Sequence, residues 1–213
     1  FLAQRDYWNS NAAEIPYNVL GFCARATYSY DDRYLAEYNM GYNGSEQFAP
    51  GHRFGFFPAF SLGWVLSNEK FMKKLTWLDF LKLRYSNGTV GNDKLGGSRF
   101  LYQSNIQTSG ASYVGGLGST TIRSISQGLL GNDKISWEKA HKQNWGIDMK
   151  FLNSLSLTVD YFRENRSDIL ISRQSVPSFQ GVALGNLPKV NMGKMENHGW
   201  EFEIGYEKDI IKD

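Results

Sequence analysis

The chain has 213 residues, of which 41% are hydrophobic and 15% aromatic, enough to bury a core and too apolar for a disordered segment. Its 23 basic and 21 acidic side chains leave a net charge of +2, which gives no long-range field for nucleic acid or a strongly acidic ligand. No stretch offers the ~20 consecutive apolar residues of a membrane helix, and the single Cys23 can form neither an internal disulfide nor a multi-thiolate metal site.

The start, FLAQRDYWNSN, lacks the basic, apolar and small-residue segments of a signal peptide, so an exported protein beginning here is expected to be a fragment. With 12 Tyr, 14 Phe and only 5 Pro, extended half-buried structure is the leading expectation. The first regular pattern is Leu20, Phe22, Ala24, Ala26, Tyr28 and Tyr30 alternating with Gly21, Cys23, Arg25, Thr27 and Ser29, the period of a strand with two different faces. Cys23 falls within it as a small filler. Asp31-Asp32-Arg33 predicts a tight turn, after which Tyr34, Ala36, Tyr38, Met40 and Tyr42 alternate with Glu37, Asn39, Gly41 and Asn43, and Leu35 is an apolar misfit on the polar face.

SEQFAPGHRFG separates this hairpin from a third strand, in which Phe56, Pro58, Phe60, Leu62, Trp64 and Leu66 alternate with Ala59, Ser61 and Gly63. Pro58 cannot donate to a ladder and should sit near the strand start, at a bulge or beside an unpaired position. After SNEKFMKK, a fourth strand sets Leu81, Leu83 and Tyr85 against Lys82, Arg84 and Ser86. Residues 91 to 136 have no sustained period and read as one very long loop with room for a hairpin inside, marked at its ends by Gly91-Asn92-Asp93 and Gly131-Asn132-Asp133.

A second tight hairpin follows: Trp145, Ile147, Met149 and Phe151, the turn Leu152-Asn153-Ser154, then Leu155, Leu157, Val159 and Tyr161. A loop from about Arg163 to Val190 leads to a last strand with Trp200, Phe202, Ile204 and Tyr206 opposite Glu201 and Glu203. The connections thus alternate short and long along roughly seven strands, putting short turns at one end and long loops at the other. Membrane barrels show that asymmetry, with short turns periplasmic and long loops outside. Aromatics near the expected strand ends (Tyr30, Tyr34, Tyr42, Trp64, Tyr161, Trp200) and a polar face with Arg25, Glu37, Arg84, Asp148, Lys150, Asp160, Glu201 and Glu203 favour the same reading. The alternative is a soluble carbohydrate-binding or structural β-domain, whose apolar face would pack on a second sheet. In a barrel Phe22, Tyr38, Leu62, Leu83, Ile147, Val159 and Phe202 face lipid, so Ile147→Arg should cost ~2–4 kcal/mol while Gly146→Arg on the other face should be milder where space allows.

The sequence supports no catalytic, cofactor or metal site. His52, His141 and His198 stand far apart in the chain, no Gly-x-Ser-x-Gly elbow occurs, and VGNDK reads as a tight turn, lacking the further ligands of a calcium loop. Glu201 and Glu203 are strand neighbours that a water-filled lumen would solvate. Tyr102, Tyr113 and Trp137, in or beside the longest loop, are the candidate ligand-binding residues, on which sugar rings could stack; packing between loops is the competing role.

Five blocks, in order, carry a resemblance: RYLAEYNMGYNGSEQFAPGHRFGFFPAFSLGW (33–64), VGNDK (90–94), ISWEKAHKQNWGIDMKF (135–151), LSLTVDYFRENRSDIL (155–170) and VNMGKMENHGWEFEIGY (190–206). They resemble the barrel region of SusC/RagA-type TonB-dependent transporters. The resemblance implies an all-β fold of antiparallel transmembrane strands, here a third or so of a plugged barrel of about 22 strands. It further implies that residues 1–213 lie within the barrel domain, without the plug, the TonB-contacting segment or the final strand. As family expectations it adds import of oligosaccharide or peptide across a Gram-negative outer membrane, a SusD-like surface lipoprotein and the TonB complex as partners, contact with outer-membrane lipid, and no nucleic acid or cofactor. A fragment of this kind is expected to leave two raw sheet edges and not to be stable alone.

Overall fold

A computed structural model of the chain describes residues 2–8, 17–94, 96, 99–107, 112–114, 121–123, 125–173 and 181–207; at 7, 8, 17, 112–114 and 121–123 it describes the backbone alone. Twelve strands are described: β1 (Leu2–Trp8), β2 (Tyr17–Tyr30), β3 (Tyr34–Ser45), β4 (Phe54–Val65), β5 (Leu78–Asn92), β6 (Ile106–Gln107), β7 (Ser112–Val114), β8 (Thr121–Arg123), β9 (Ser126–Gln127), β10 (Glu138–Phe151), β11 (Leu155–Ser172) and β12 (Lys189–Tyr206). Eight form one sheet in the order β1-β2-β3-β4-β5-β10-β11-β12, and every neighbouring pair is antiparallel. The other four make two small sheets inside the long loop, β6 with β9 and β7 with β8, a nested hairpin.

The register carries the alternation of each strand into its neighbours. One ladder row runs Tyr30, Tyr34, Trp64, Leu83, Ile147, Val159, Phe202, and the next runs Tyr28, Ala36, Leu62, Tyr85, Trp145, Tyr161, Trp200. All these side chains share one face, where most of the large apolar groups remain exposed and no second layer packs over them among the described residues. The opposite face carries Arg25, Glu37, Ser61, Arg84, Asp148, Asp160, Glu201 and Glu203. An uncovered apolar face opposite a wet one is the arrangement of a membrane barrel wall.

Aromatic rings bound this outer face at two levels. Near the short turns Tyr30 stacks on Tyr34 and Tyr34 on Trp64, at 6.4 and 6.2 Å between centroids, and Trp77 stacks on Phe151 at 5.9 Å. Towards the long loops a chain of contacts joins Tyr85, Trp145, Tyr161 and Trp200, at 5.4, 5.5 and 4.9 Å. The row that forms the lower girdle on β2–β4 reaches mid-band on β10–β12, at Ile147, Val159 and Phe202, so the strands cross the band at a slant, as barrel closure requires. The outward apolar run from Tyr34 to Tyr42 covers about 27 Å of strand at ~3.4 Å per residue, or about 21 Å of height at a tilt of ~40°, close to the ~25 Å band of membrane barrels.

The structure refines three expectations. The sheet has eight strands, because β1 pairs with the half of β2 nearest the long loops. Strands also run further than the alternation indicated: β11 reaches Ser172 and β12 starts at Lys189, so the first ten and the last two residues of the loop expected from about 163 to 190 are strand, and Tyr161 and Trp200 lie mid-strand. Past the upper girdle the outward positions become Gln143, His141, Arg163, Asn165, His198 and Glu196. Both faces there meet water, and the polar–apolar signal vanishes although the ladder continues. Finally, the 46–53 connection at the long-loop end is shorter than the 66–77 connection at the opposite end, so loop length alternates less regularly than expected.

Pro58 lies just beyond the end of the β4–β5 ladder, which spans Ala59–Val65 and Lys82–Gly88. Leu35 lies across from Gly63, whose missing side chain leaves it room.

Glu69 ties the 66–77 connection to the outside of the wall. Its carboxylate accepts hydrogen bonds from the Tyr34 hydroxyl (2.8 Å), Trp64 Nε1 (3.2 Å) and Arg33 Nη1 (3.1 Å), and the residue is 8% exposed. Those donors, the Tyr34 hydroxyl foremost, favour the ionised form and hold Glu69 below the usual carboxylate range. A depressed folded pKa stabilises the fold above the unfolded value near ~4.3, and the contribution is lost as pH falls through the folded value. The melting temperature of full-length protein should therefore exceed that of Glu69→Gln by a constant margin at neutral pH, and the margin should narrow as the pH falls below the unfolded value near ~4.3. A margin independent of pH would remove the charge from the account.

Candidate functional site: inner wall and loop cap

On the inner face one ladder row runs Leu35, Gly63, Arg84, Gly146, Asp160, Glu201. Arg84 reaches Asp148 (Nη2 to Oδ1, 2.9 Å) and, across β10, Asp160 (Nη2 to Oδ2, 3.1 Å). Asp148 also accepts from Thr158 Oγ1 at 3.4 Å. Gly146 makes this crossing possible: a Cβ there would sit 2.5 Å from Asp160 Oδ1 and 2.8 Å from Arg84 Cζ. The space on which a milder Gly146→Arg change depended is thus filled by an ion pair. A second pair, Arg25 with Glu37 at 2.7 Å, sits further round the same face, with Asn39 Nδ2 also donating to Glu37 at 2.5 Å. The inner wall is therefore a polar surface of fixed charge pairs, suited to water and polar solutes.

At the long-loop end the inner face changes character. Phe57 of β4 points inward, and its ring lies over Gly55 and Gly91, where Cβ atoms would stand 2.4 and 2.0 Å from its Cζ. Around it gather Phe48 from the 46–53 connection and Leu101, Ile135 and Trp137 from the long loop and its exit, forming a buried core with Leu129 and Leu170 packed against it. Trp137 meets Phe48 at 5.3 Å and Phe57 at 5.2 Å between centroids.

Polar ties fasten the loops to one another: Arg99 to Glu46 at 3.1 Å, Phe100 N to Gln47 Oε1 at 3.3 Å, Leu130 N to the Asn186 carbonyl at 2.8 Å and Asn132 Nδ2 to the Lys189 carbonyl at 2.8 Å. Both Gly-Asn-Asp-Lys repeats make the expected turn, the Asn side-chain oxygen accepting from the backbone N–H of the Lys two residues on, at 3.1 Å in each. Gly131 adds a close approach, because a Cβ there would lie 2.5 Å from the backbone of Tyr102 and Gln103.

The three sequence candidates part company in this cap. Trp137 is 6% exposed, its ring is enclosed by Phe48 and Phe57, and its Nε1 donates to the Arg53 carbonyl at 3.0 Å. Tyr102 is half-buried, edge-on to Phe100 at 6.2 Å. Tyr113 lies on β7 opposite Ile122, and its side chain falls outside the described residues. Glu201 and Glu203 lie exposed on the inner face. His141 contacts Thr89 at 3.3 Å, and among the described residues no group of three or more His, Cys, Asp or Glu is placed to hold a metal ion.

The sequence reading missed the Arg84–Gly146–Asp160 crossing, which only register reveals. It also passed over Phe57, an apolar residue on the polar face that marks where the cap packs.

Comparison with known proteins agrees with this architecture. The profile of the TonB dependent receptor-like β-barrel family matches residues 3–209. A TonB-dependent receptor of Formosa agariphila is 34% identical over 85% of this chain and 16% of its own length, and the TonB-dependent receptor SusC of Bacteroides thetaiotaomicron is 32% identical over 92% and 19%. The chain thus spans less than a fifth of the length of these curated relatives. Among solved structures, the RagAB peptide importer in its closed-closed state superposes with a TM-score of 0.75 at 24% identity, covering 97% of this chain and 22% of that one, and bears on the fold. The siderophore receptor PirA of Pseudomonas aeruginosa aligns at a TM-score of 0.55 and 14% identity over 88% of this chain and 31% of that one. The soluble β-domain alternative is set aside by the uncovered apolar face and by these matches together. The chain belongs to the TonB-dependent receptor β-barrel family, a non-enzymatic family of outer-membrane proteins, and forms a section of barrel wall with its loop cap.

Proposed function

We propose that the chain is part of the wall of a nutrient importer in the Gram-negative outer membrane, with residues 1–213 wholly within the barrel and the plug and TonB contact contributed by other parts of the protein. The observation that carries this reading is the register-matched division into an apolar, girdled outer face and a polar inner face, capped at the long-loop end. Oligosaccharide, which the family resemblance implies, and peptide, the cargo named for the RagAB importer whose fold this chain shares, are the cargo classes proposed. A SusD-like surface lipoprotein belongs at the long-loop end and TonB at the short-turn end.

Within the cap, Tyr102 and Tyr113 are the residues proposed to stack on cargo, with Trp137 holding the loop that presents them. Each aromatic contact is worth about 0.5–1.5 kcal/mol, roughly two- to tenfold in affinity. Tyr102→Ala or Tyr113→Ala in the full-length protein should raise the cargo concentration needed for half-maximal uptake by that factor, with outer-membrane levels unchanged. Unaltered uptake by both variants removes the loop from the binding surface. Deletion of the whole gene without effect on growth on oligosaccharides or peptides would contradict the importer reading itself.

A further inference from the structure

The 66–77 connection does more than close a turn. It holds two short 3-10 turns, at Leu66–Asn68 and Met72–Lys74, and three fastenings hold it against the outside of the wall. Glu69 bonds to Tyr34 and Trp64, both outward-facing; Asn68 Nδ2 donates to the Asp32 carbonyl at 2.9 Å; and Trp77 stacks on Phe151 while its carbonyl accepts from Leu152 N at 3.3 Å. The segment therefore lies along the lower aromatic girdle, away from the lumen.

Between these fastenings its side chains are of two kinds. Phe71, Leu75 and Trp77 are 61%, 38% and 51% exposed. Lys70, Lys73 and Lys74 are exposed too, and among the described residues none has an ion-pair partner. Glu69, the carboxylate within the segment, is already paired with Arg33. Exposed aromatic and aliphatic groups interleaved with free lysines are the composition of a segment lying in a membrane interface, with rings among acyl chains and ammonium groups at the phosphates. Tyr34 and Trp64, the two rings that bond Glu69, also line a groove of about 600 Å³ with Tyr28, Leu83 and Tyr85, where the small side chain of Ala36 leaves room. Its lining is almost wholly apolar.

We propose that residues 66–77 and this groove form a binding site for an anionic glycerophospholipid of the periplasmic leaflet, the acyl chain in the groove and the phosphate on Lys70, Lys73 and Lys74. Short turns lie on the periplasmic side of such barrels, which fixes the leaflet. Charge complementarity selects an anionic headgroup, since the three exposed lysines have no ion-pair partner among the described residues. The lipid spans from the basic segment into the apolar groove, matching the sequence of polarity along the wall.

The test uses full-length protein with its other cysteines replaced, Cys23→Ser included, and an environment-sensitive fluorophore on Phe71→Cys, reconstituted in nanodiscs of phosphatidylethanolamine and phosphatidylglycerol. A second probe on Leu75→Cys guards against a local effect of the label. Spin-labelled lipid should quench both probes at least threefold more than aqueous iodide does. Native mass spectrometry of the K70Q/K73Q/K74Q variant should show several-fold less bound phosphatidylglycerol than the parent, with an intact heat-modifiable barrel. Quenching by iodide alone overturns the proposal, and so does phosphatidylglycerol binding unchanged by the three substitutions. Protection from both quenchers would place protein over the segment and overturn the lipid assignment as well.

Discussion

Full-length protein carrying Ile147→Arg should lose about 2–4 kcal/mol of stability, while Ser61→Arg loses little, although both residues lie within the membrane-crossing part of the wall. Ile147 occupies the outward row between Leu83 and Val159, at mid-band and 38% exposed with nothing packed over it. A guanidinium there must be taken into hydrocarbon or drag water after it. Ser61 lies on the inner row between Glu37 and Ser86, where a new cation meets a carboxylate and a water-filled lumen. Gly146, the inner-face neighbour of Ile147, is unsuitable as the comparison because any side chain there displaces the Arg84–Asp160 contact. Denaturant titration of the two variants in detergent or lipid gives the difference directly; equal losses would mean that the outward face does not meet lipid.

Trp137→Ala is expected to have the largest effect on the cap and little on the barrel. Removing a buried tryptophan typically costs about 3–5 kcal/mol, because the cavity adds to the lost transfer energy. Here the ring joins Phe48 to Phe57, and its Nε1 satisfies the Arg53 carbonyl, so the 46–53 connection and the long loop both lose their common support. The wall below is held by continuous ladders that do not involve Trp137 and should still insert. The result to look for is trypsin cleavage between 93 and 137, in intact outer membranes, much faster than in the parent protein, with heat-modifiability retained. Cleavage at the parent rate would show that the cap does not depend on this core.

The reach of the sequence is set by where its two faces meet different surroundings. From Leu20 to Tyr42 and from Trp145 to Tyr161 one side meets lipid and the other the lumen, and the alternation locates strands, faces and turns with little error. Above the girdle formed by Tyr85, Trp145, Tyr161 and Trp200 the same strands rise into water on both sides, and neither β1 nor the upper half of β11 leaves a periodic trace. Register was beyond reach for a related reason: Arg84 and Asp160 are 76 positions apart, and only the pairing of both with Gly146 brings them together. The loop candidates illustrate a third limit. Tyr102 and Trp137 look alike as aromatic loop residues, and what separates them is the inward Phe57, which gives Trp137 a core to join.

Alternate residues of the wall face lipid and water, and β12 is the strand on which to measure it. In full-length protein lacking other cysteines, single cysteines at 200 to 204 would be exposed to a charged, membrane-impermeant maleimide in outer membranes opened to both sides. Rapid labelling is expected at 201 and 203, in place of Glu201 and Glu203, and slow labelling at 200, 202 and 204, in place of Trp200, Phe202 and Ile204. Labelling without a period of two, or with the opposite phase, would contradict it.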